Sequence, residues 1–181
     1  MDIGIINFQA GNLRNVQKSI QALGYSPKII ESEHEISKCD VLILPGVGSF
    51  NYGMTRLKTL NYIDAIYAHV TFKKKPIMGI CLGMQLLGSN GTEGGITSGL
   101  NILPMNVEKF KIYTPNTCLP HMGWNDVSFN PDSVLFEGLP SNPDFYFVHS
   151  YHVTSSINNI FSSFCTYEYP FPSSIESDNI F

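Results

Sequence analysis

The sequence predicts an α/β protein: an open, mostly parallel sheet with helices on both faces, and a small antiparallel section in the second half. Three observations carry this. Strand and helix signals alternate through the first half, the pattern of a parallel sheet with covering helices. Residues 40–44 (DVLIL) are almost wholly apolar, as in a strand buried on both faces. The second half changes character, becoming richer in Pro, Asn, Ser and aromatics, with short β-prone runs at 107–112, 144–148 and 161–167.

Taken in order, residues 2–8 (DIGIINF) read as the first strand. Asn12 is a plausible N-cap, Leu13, Val16, Ile20 and Leu23 recur at steps of three and four, and Gly24 closes the segment, which together predict an amphipathic helix. Residues 27–30 read as a second strand, and the 40–44 strand ends at Pro45-Gly46. Residues 61–70 read as helix, followed by Lys73, Lys74 and Lys75, taken as a solvated helix end where cations complement the dipole. A short strand at 76–80 runs directly into Cys81, after which Leu82, Met84, Leu86 and Leu87 begin another helix. With no internal repeat and no linker, residues 1–181 are read as one domain.

The bulk properties exclude several classes. At 181 residues, 43% hydrophobic and 14% charged, the chain can bury a core and is not a disordered segment. A formal net charge of -4 argues against a nucleic-acid partner. No signal peptide and no apolar stretch of membrane-spanning length is visible, so a cytoplasmic protein without a membrane partner is expected. Cys39, Cys81, Cys118 and Cys165 are scattered and form no CxxC pair, which suits reduced thiols better than disulfides or a zinc site. No metal site is expected.

The motif that carries chemistry is Gly79-Ile80-Cys81-Leu82-Gly83, a G-x-C-x-G between a strand and a helix. This is the nucleophile-elbow pattern with Cys in place of Ser. A sharp turn there strains the backbone at the nucleophile, and glycines two residues to either side remove Cβ atoms that would clash. The thiol would project at the amino end of a helix, whose dipole favours the thiolate, and the Leu82 N–H would face a developing oxyanion. Cys39, Cys118 and Cys165 are read as buried small hydrophobes. The elbow alone names no reaction. A second element, Pro45-Gly46-Val47-Gly48-Ser49-Phe50, lets backbone approach a ligand, but alone it is an ordinary Gly-rich turn.

Together these elements resemble class I glutamine amidotransferases, which have a flavodoxin-like fold. Further segments narrow the resemblance to glutaminase subunits of imidazole glycerol phosphate synthase, of histidine biosynthesis: NFQAGNL at 7–13, LPGVGSF at 44–50 with Met54 and Leu57, GICLGMQLL at 79–87, PHMGWN at 120–125 and YFVHSY at 146–151. They span nearly the whole chain in the family's order. The resemblance implies that Cys81 attacks the side-chain amide of glutamine, giving a thioester and releasing ammonia, with no cofactor. It implies an oxyanion hole from backbone at Val47, Gly48 and Leu82, and substrate binding by Gly46, Gln85, His149, Ser150 and Tyr151. Asn12, Pro120, Met122, Gly123 and Trp124 would face a separate cyclase subunit, a (β/α)8 barrel, in a heterodimer. Read without the resemblance, Gln85 is a helix-surface residue, Trp124 is core, and His121, His149 and His152 are hydrogen-bonded structural histidines; His34 and His69 carry no role in either reading.

The resemblance breaks at one point. The family supplies its base and orienting carboxylate from a G-x-Q-F-H-P-E motif near the carboxyl end, and this sequence has none. The 164–181 run resembles what leads up to that motif, and the chain stops at Phe181 within residues that read as a strand. The expectation is therefore a truncated chain lacking its final strand and helix, with little or no glutaminase activity as it stands, and His149 and His152 are not expected to substitute as base. Competing readings are a non-catalytic interaction subunit, a paralogue feeding ammonia to a sugar-modifying synthase, and a cysteine hydrolase or chaperone-like protein built on the same elbow.

Overall fold

In the computed structural model, which describes residues 1–155 and 158–181, the alternation builds a parallel sheet. Strands β1 (Ile3–Ile6), β2 (Lys28–Ile30), β3 (Val41–Gly46) and β4 (Ile77–Cys81) lie in the order β2-β1-β3-β4, every pairing parallel. Beside β4, Ile180 bridges Ile77 in parallel, and the Gly79 N–H donates to the Phe181 carbonyl at 2.8 Å. The end of the chain thus lies along the outer side of the strand that delivers Cys81.

Central β3 explains its own composition. Ile43 joins Ile3 and Ile5 on one face, beneath Leu13, Val16 and Ile20 of α1 (Leu13–Ala22). Leu42 and Leu44 join Ile6 on the other, in a core shared with Ile36 of α2 (Glu33–Ile36), Leu57 of α3 (Phe50–Thr59), Ile66 of α4 (Tyr62–Tyr67) and Leu86 of α5 (Leu82–Leu86). A strand covered by helices on both sides has no polar side to alternate with.

Asn12 caps α1 as expected, its side-chain oxygen accepting from the Asn15 N–H at 3.3 Å. Leu23, assigned to the apolar stripe, instead lies past the helix end and is 75% exposed. The helix expected over 61–70 is split: α4 stops at Tyr67 and a π-helical turn spans Ala68–Phe72. Lys75 is not a solvated end but donates to the Cys39 carbonyl at 2.7 Å and pairs with Asp40 at 3.4 Å. Helices α2 and α3 were not foreseen, although Ser32 and Glu35 have the spacing of a capping box. The first is a single turn steadied by the Glu35 carboxylate, which accepts from the Ser32 N–H at 3.0 Å. The second is capped by Ser49 on the Tyr52 N–H at 3.3 Å.

Among the described residues the second half adds three small sheets. Strands β5 (Asn90–Gly91), β6 (Thr97–Ser98), β7 (Asn106–Lys109) and β11 (Tyr151–Thr154) form the order β11-β7-β5-β6. Strands β8 (His121–Asp126) and β10 (Asp144–His149) form an antiparallel ribbon. Strand β12 (Phe161–Tyr167) lies between β9 (Ser128–Phe129) and β13 (Tyr169–Ile175). The strand expected at 107–112 is shorter than anticipated, those at 144–148 and 161–167 form nearly as expected, and β8 and β13 were not foreseen. In β13, Pro170 and Pro172 stand opposite Thr166 and Phe164. Among the described residues no helix is long and apolar enough to cross a membrane.

Leu44 is fully buried at the centre of this arrangement. Leu44→Ala is expected to lower unfolding free energy by about 2–5 kcal/mol, and Asn12→Ala by about 1 kcal/mol. Urea denaturation of the two variants checks the order; equal losses would mean that β3 is not the structural centre.

Candidate active site

The strand-to-helix turn is made without a linker. Strand β4 ends at Cys81 and α5 begins at Leu82. Cys81 sits at φ 54° and ψ -113°, a conformation that costs a side-chain-bearing residue roughly 1–3 kcal/mol. The flanking glycines are required by contact. A Cβ on Gly83 would lie 1.6 Å from the Leu44 carbonyl oxygen, and one on Gly79 would lie 2.6 Å from the Met84 backbone.

The register of β3 and β4 places Cys81 beside Gly46. A Cβ on Gly46 would meet the Phe8 ring at 2.7 Å and Leu82 at 3.2 Å. The two elements singled out in the sequence are therefore neighbours. Beyond Gly46, Val47 and Gly48 are exposed, with Gly48 at φ 106°, and the turn closes into α3 at Ser49. The Glu93 carboxylate pins that closure, accepting from the Phe50 N–H at 3.0 Å. Glu93 was missed, because a lone carboxylate in a Gly-rich stretch carries no spacing signal.

Cys81 is exposed, unlike Cys39 and Cys165, which are buried as expected; Cys118 is exposed, contrary to expectation. The thiol's acidity also departs from expectation. Desolvation by the surrounding protein pushes the Cys81 pKa above its ordinary value of 9.0, and the backbone amide of Leu82 pulls it only partly back.

The residues expected to bind substrate gather around α5. Gln85, one turn from Cys81, donates its Nε2–H to the Tyr151 carbonyl at 3.2 Å. The same carbonyl lies 2.9 Å from His149 Nδ1, while His149 Nε2 faces His121 Nδ1 at 3.0 Å. The His149 ring thus offers no free nitrogen to a ligand. The Ser150 carbonyl accepts from the Phe110 N–H at 3.0 Å, fixing the β10–β11 junction. The other histidines are also engaged. His152 contacts the Val153 carbonyl and the Tyr169 hydroxyl, and buried His69 contacts the Pro76 carbonyl, while His34 is exposed on α2. Among the described residues no group of three or more His, Cys, Asp or Glu side chains is arranged to hold a metal ion.

The residues expected to face a partner lie on the surface. Asn12 and Val47 border one shallow depression. Pro120 is exposed and leads into β8, where Met122 and Trp124 are 61% and 74% exposed, with half-buried Gly123 between them at φ 139°. Trp124 is therefore not core. Tyr146 and Val148 stand directly across the ribbon from Trp124 and Met122 and are exposed too. The Trp124 and Tyr146 rings meet edge-on at 5.8 Å. Sequence reasoning missed this second half of the strip, although the alternation of β10 would have placed both residues on one face.

The chain is similar to known proteins over nearly its whole length. The family model for glutamine amidotransferase class-I matches residues 4–169. The chain is 44% identical over 180 residues to imidazole glycerol phosphate synthase subunit HisH of Methanocaldococcus jannaschii, covering 99% of this chain and 87% of the relative. It is 41% identical over 178 residues to the protein of the same name in Desulfitobacterium hafniense, covering 98% and 82%. Among solved structures, a glutamine amidotransferase superposes with a TM-score of 0.76 at 15% identity, covering 99% of this chain and 87% of that one. Another glutamine amidotransferase, from Thermotoga maritima, superposes with a TM-score of 0.64 at 15% identity, covering 99% and 73%.

Because the reactive form is the thiolate and its pKa is raised, the rate of Cys81 alkylation by iodoacetamide is expected to keep rising above pH 9.0. Mass-spectrometric rates at Cys81 measure this, and a plateau below that pH would show that the site stabilises the thiolate.

Proposed function

The chain belongs to the class-I glutamine amidotransferase family, and we propose that within it the chain is the glutaminase subunit of an imidazole glycerol phosphate synthase, acting in the cytoplasm in histidine biosynthesis. The observation that carries this is the placement of Cys81 at a strained bend, in register with Gly46 and directly before the first residue of α5. In this reading the sulfur attacks the side-chain amide carbon of glutamine. The oxyanion is taken up by the Leu82 N–H and by backbone N–H at Val47 or Gly48, ammonia leaves, and water releases glutamate from the thioester. Gly46, Gln85 and the 149–151 segment shape the glutamine site. The chemistry calls for no cofactor.

The attack also needs a proton acceptor. His121, His149 and His152 have both ring nitrogens engaged within the protein, and none of them is proposed as the base for Cys81. The 181 residues, read as one amidotransferase domain, are therefore proposed to turn over glutamine roughly 10⁴–10⁶-fold more slowly than a form provided with a base. The same observation favours a second reading, in which the chain binds its partner without chemistry. The partner proposed is a cyclase with a (β/α)8 barrel, forming a heterodimer over Asn12, Pro120 and the Met122–Trp124 strip and receiving ammonia through a sheltered path.

A γ-chloroketone analogue of glutamine is expected to label wild-type protein at Cys81 and to leave Cys81→Ser unlabelled. A relative's segment containing the histidine and glutamate, supplied in trans or appended, is expected to restore glutamate formation. Labelling without restoration would favour the non-catalytic reading. Trp124→Ala is expected to weaken cyclase binding at least about tenfold by calorimetry, and unchanged affinity would remove the ribbon from the interface.

A further inference from the structure

The hydrogen bonds beneath the β8–β10 ribbon all run in one direction. A carbonyl oxygen only accepts, so His149 Nδ1, 2.9 Å from the Tyr151 carbonyl, carries a proton. Neutral His149 then has a bare Nε2, and His121 Nδ1, 3.0 Å away, must donate to it. That leaves His121 Nε2 as an acceptor, approached by Asn125 Nδ2 at 3.4 Å. The opposite end sets the same direction independently. The Asp126 N–H donates to Asn125 Oδ1 at 3.0 Å, which makes Nδ2 the donor, and Nδ2 also reaches the Thr166 carbonyl at 3.1 Å.

The surroundings keep both rings neutral. Burial, with facing His149 adding to it, lowers the His121 pKa to about 4. Burial also lowers that of His149, against the raising effect of the Tyr151 carbonyl and with nearby His152 helping to lower it. At the far end the Tyr151 carbonyl accepts from Gln85, one turn along α5 from Cys81.

We propose that His121 is a positioning residue: by donating to His149 it fixes the Tyr151 carbonyl, and through it Gln85, so that the partner-facing ribbon sets the geometry of the glutamine site. The consequence for glutamine binding rests on the glutaminase reading of Cys81; the direction of the hydrogen bonds does not. The plain alternative is packing. The His121 ring stacks on Tyr167 at 4.2 Å and on Phe147 at 4.9 Å, both at 20°. If packing were its whole role, either tautomer would serve and a phenyl ring would replace it silently. His121→Phe keeps the stack and leaves His149 Nε2 without a donor. His121→Asn restores a donor close to the position of Nδ1.

Long-range proton–nitrogen spectra of the ¹⁵N-labelled protein at neutral pH are expected to show both His121 and His149 protonated on Nδ1, the less common form of free neutral imidazole. A proton on Nε2 of either ring would overturn the proposal. In His121→Phe the Gln85 side-chain amide signal is expected to shift and its solvent exchange to quicken severalfold, and in His121→Asn both are expected to return to wild-type values. For inactivation by the γ-chloroketone analogue, the half-saturating concentration is expected to rise about tenfold in His121→Phe and to recover in His121→Asn. The maximal rate and iodoacetamide alkylation are expected to stay unchanged. A stationary Gln85 signal with unchanged half-saturation in His121→Phe refutes the role. If iodoacetamide labels wild-type Cys81 but the glutamine analogue does not, the glutaminase reading fails, and the tautomers with the Gln85 signal still decide the positioning role.

Discussion

One contact governs the site: the Leu44 carbonyl oxygen lies where a side chain on Gly83 would have to start. Helix α5 can approach β3 this closely only because residue 83 has no Cβ, and the approach leaves no room for a connecting loop between β4 and α5. The whole reversal falls on Cys81, which adopts a positive φ. Such strain persists only where the surroundings over-determine it. Here Leu82 and Leu86 are anchored in the same buried cluster as Leu42 and Leu44, so relaxing the bend would pull α5 out of the core. Core packing and the strained bend at Cys81 are thus one arrangement seen from two sides.

What was legible in the sequence was what is local. The 40–44 run announced its burial, and the spacing of Gly79, Cys81 and Gly83 announced the elbow, because each pattern is complete within five residues. Helix α3 escaped notice for an equally physical reason. Its buried positions include Gly53, which lies against Leu86 and interrupts the apolar period that marks a helix. Leu23 fitted the period of α1 but fell just beyond its last turn. Strand β13 was hidden by Pro170 and Pro172, residues that argue against a strand except at a sheet edge. The desolvation that raises the Cys81 pKa depends on what folds around the thiol, and a motif does not contain that. Glu93 acts on Phe50, far away in the chain, and left no mark of its own, whereas Tyr146 and Val148 were marked only by the alternation of β10.

The β8–β10 ribbon illustrates how one strand serves two environments. Side chains alternate across a strand, so Met122 and Trp124 point outward while His121 and Asn125 point into an aromatic cluster with Phe110, Phe147 and Tyr167. The outward face is an apolar strip suited to association, and the inward face is a polar chain of fixed direction. A two-stranded ribbon has little stability alone, so the inward chain and its stacked rings hold the outward strip in shape.

The prolines of β13 have a further effect. Strand β13 borders its sheet, with β12 as its ladder partner. Opposite Thr166 and Phe164, Pro170 and Pro172 occupy positions whose backbone nitrogens face away from β12. A neighbouring molecule trying to extend the sheet there would find acceptors but no donors at two successive sites. Natural sheets avoid polymerising through their borders by this kind of omission. Along β13, then, the sheet gives a poor template for a further strand.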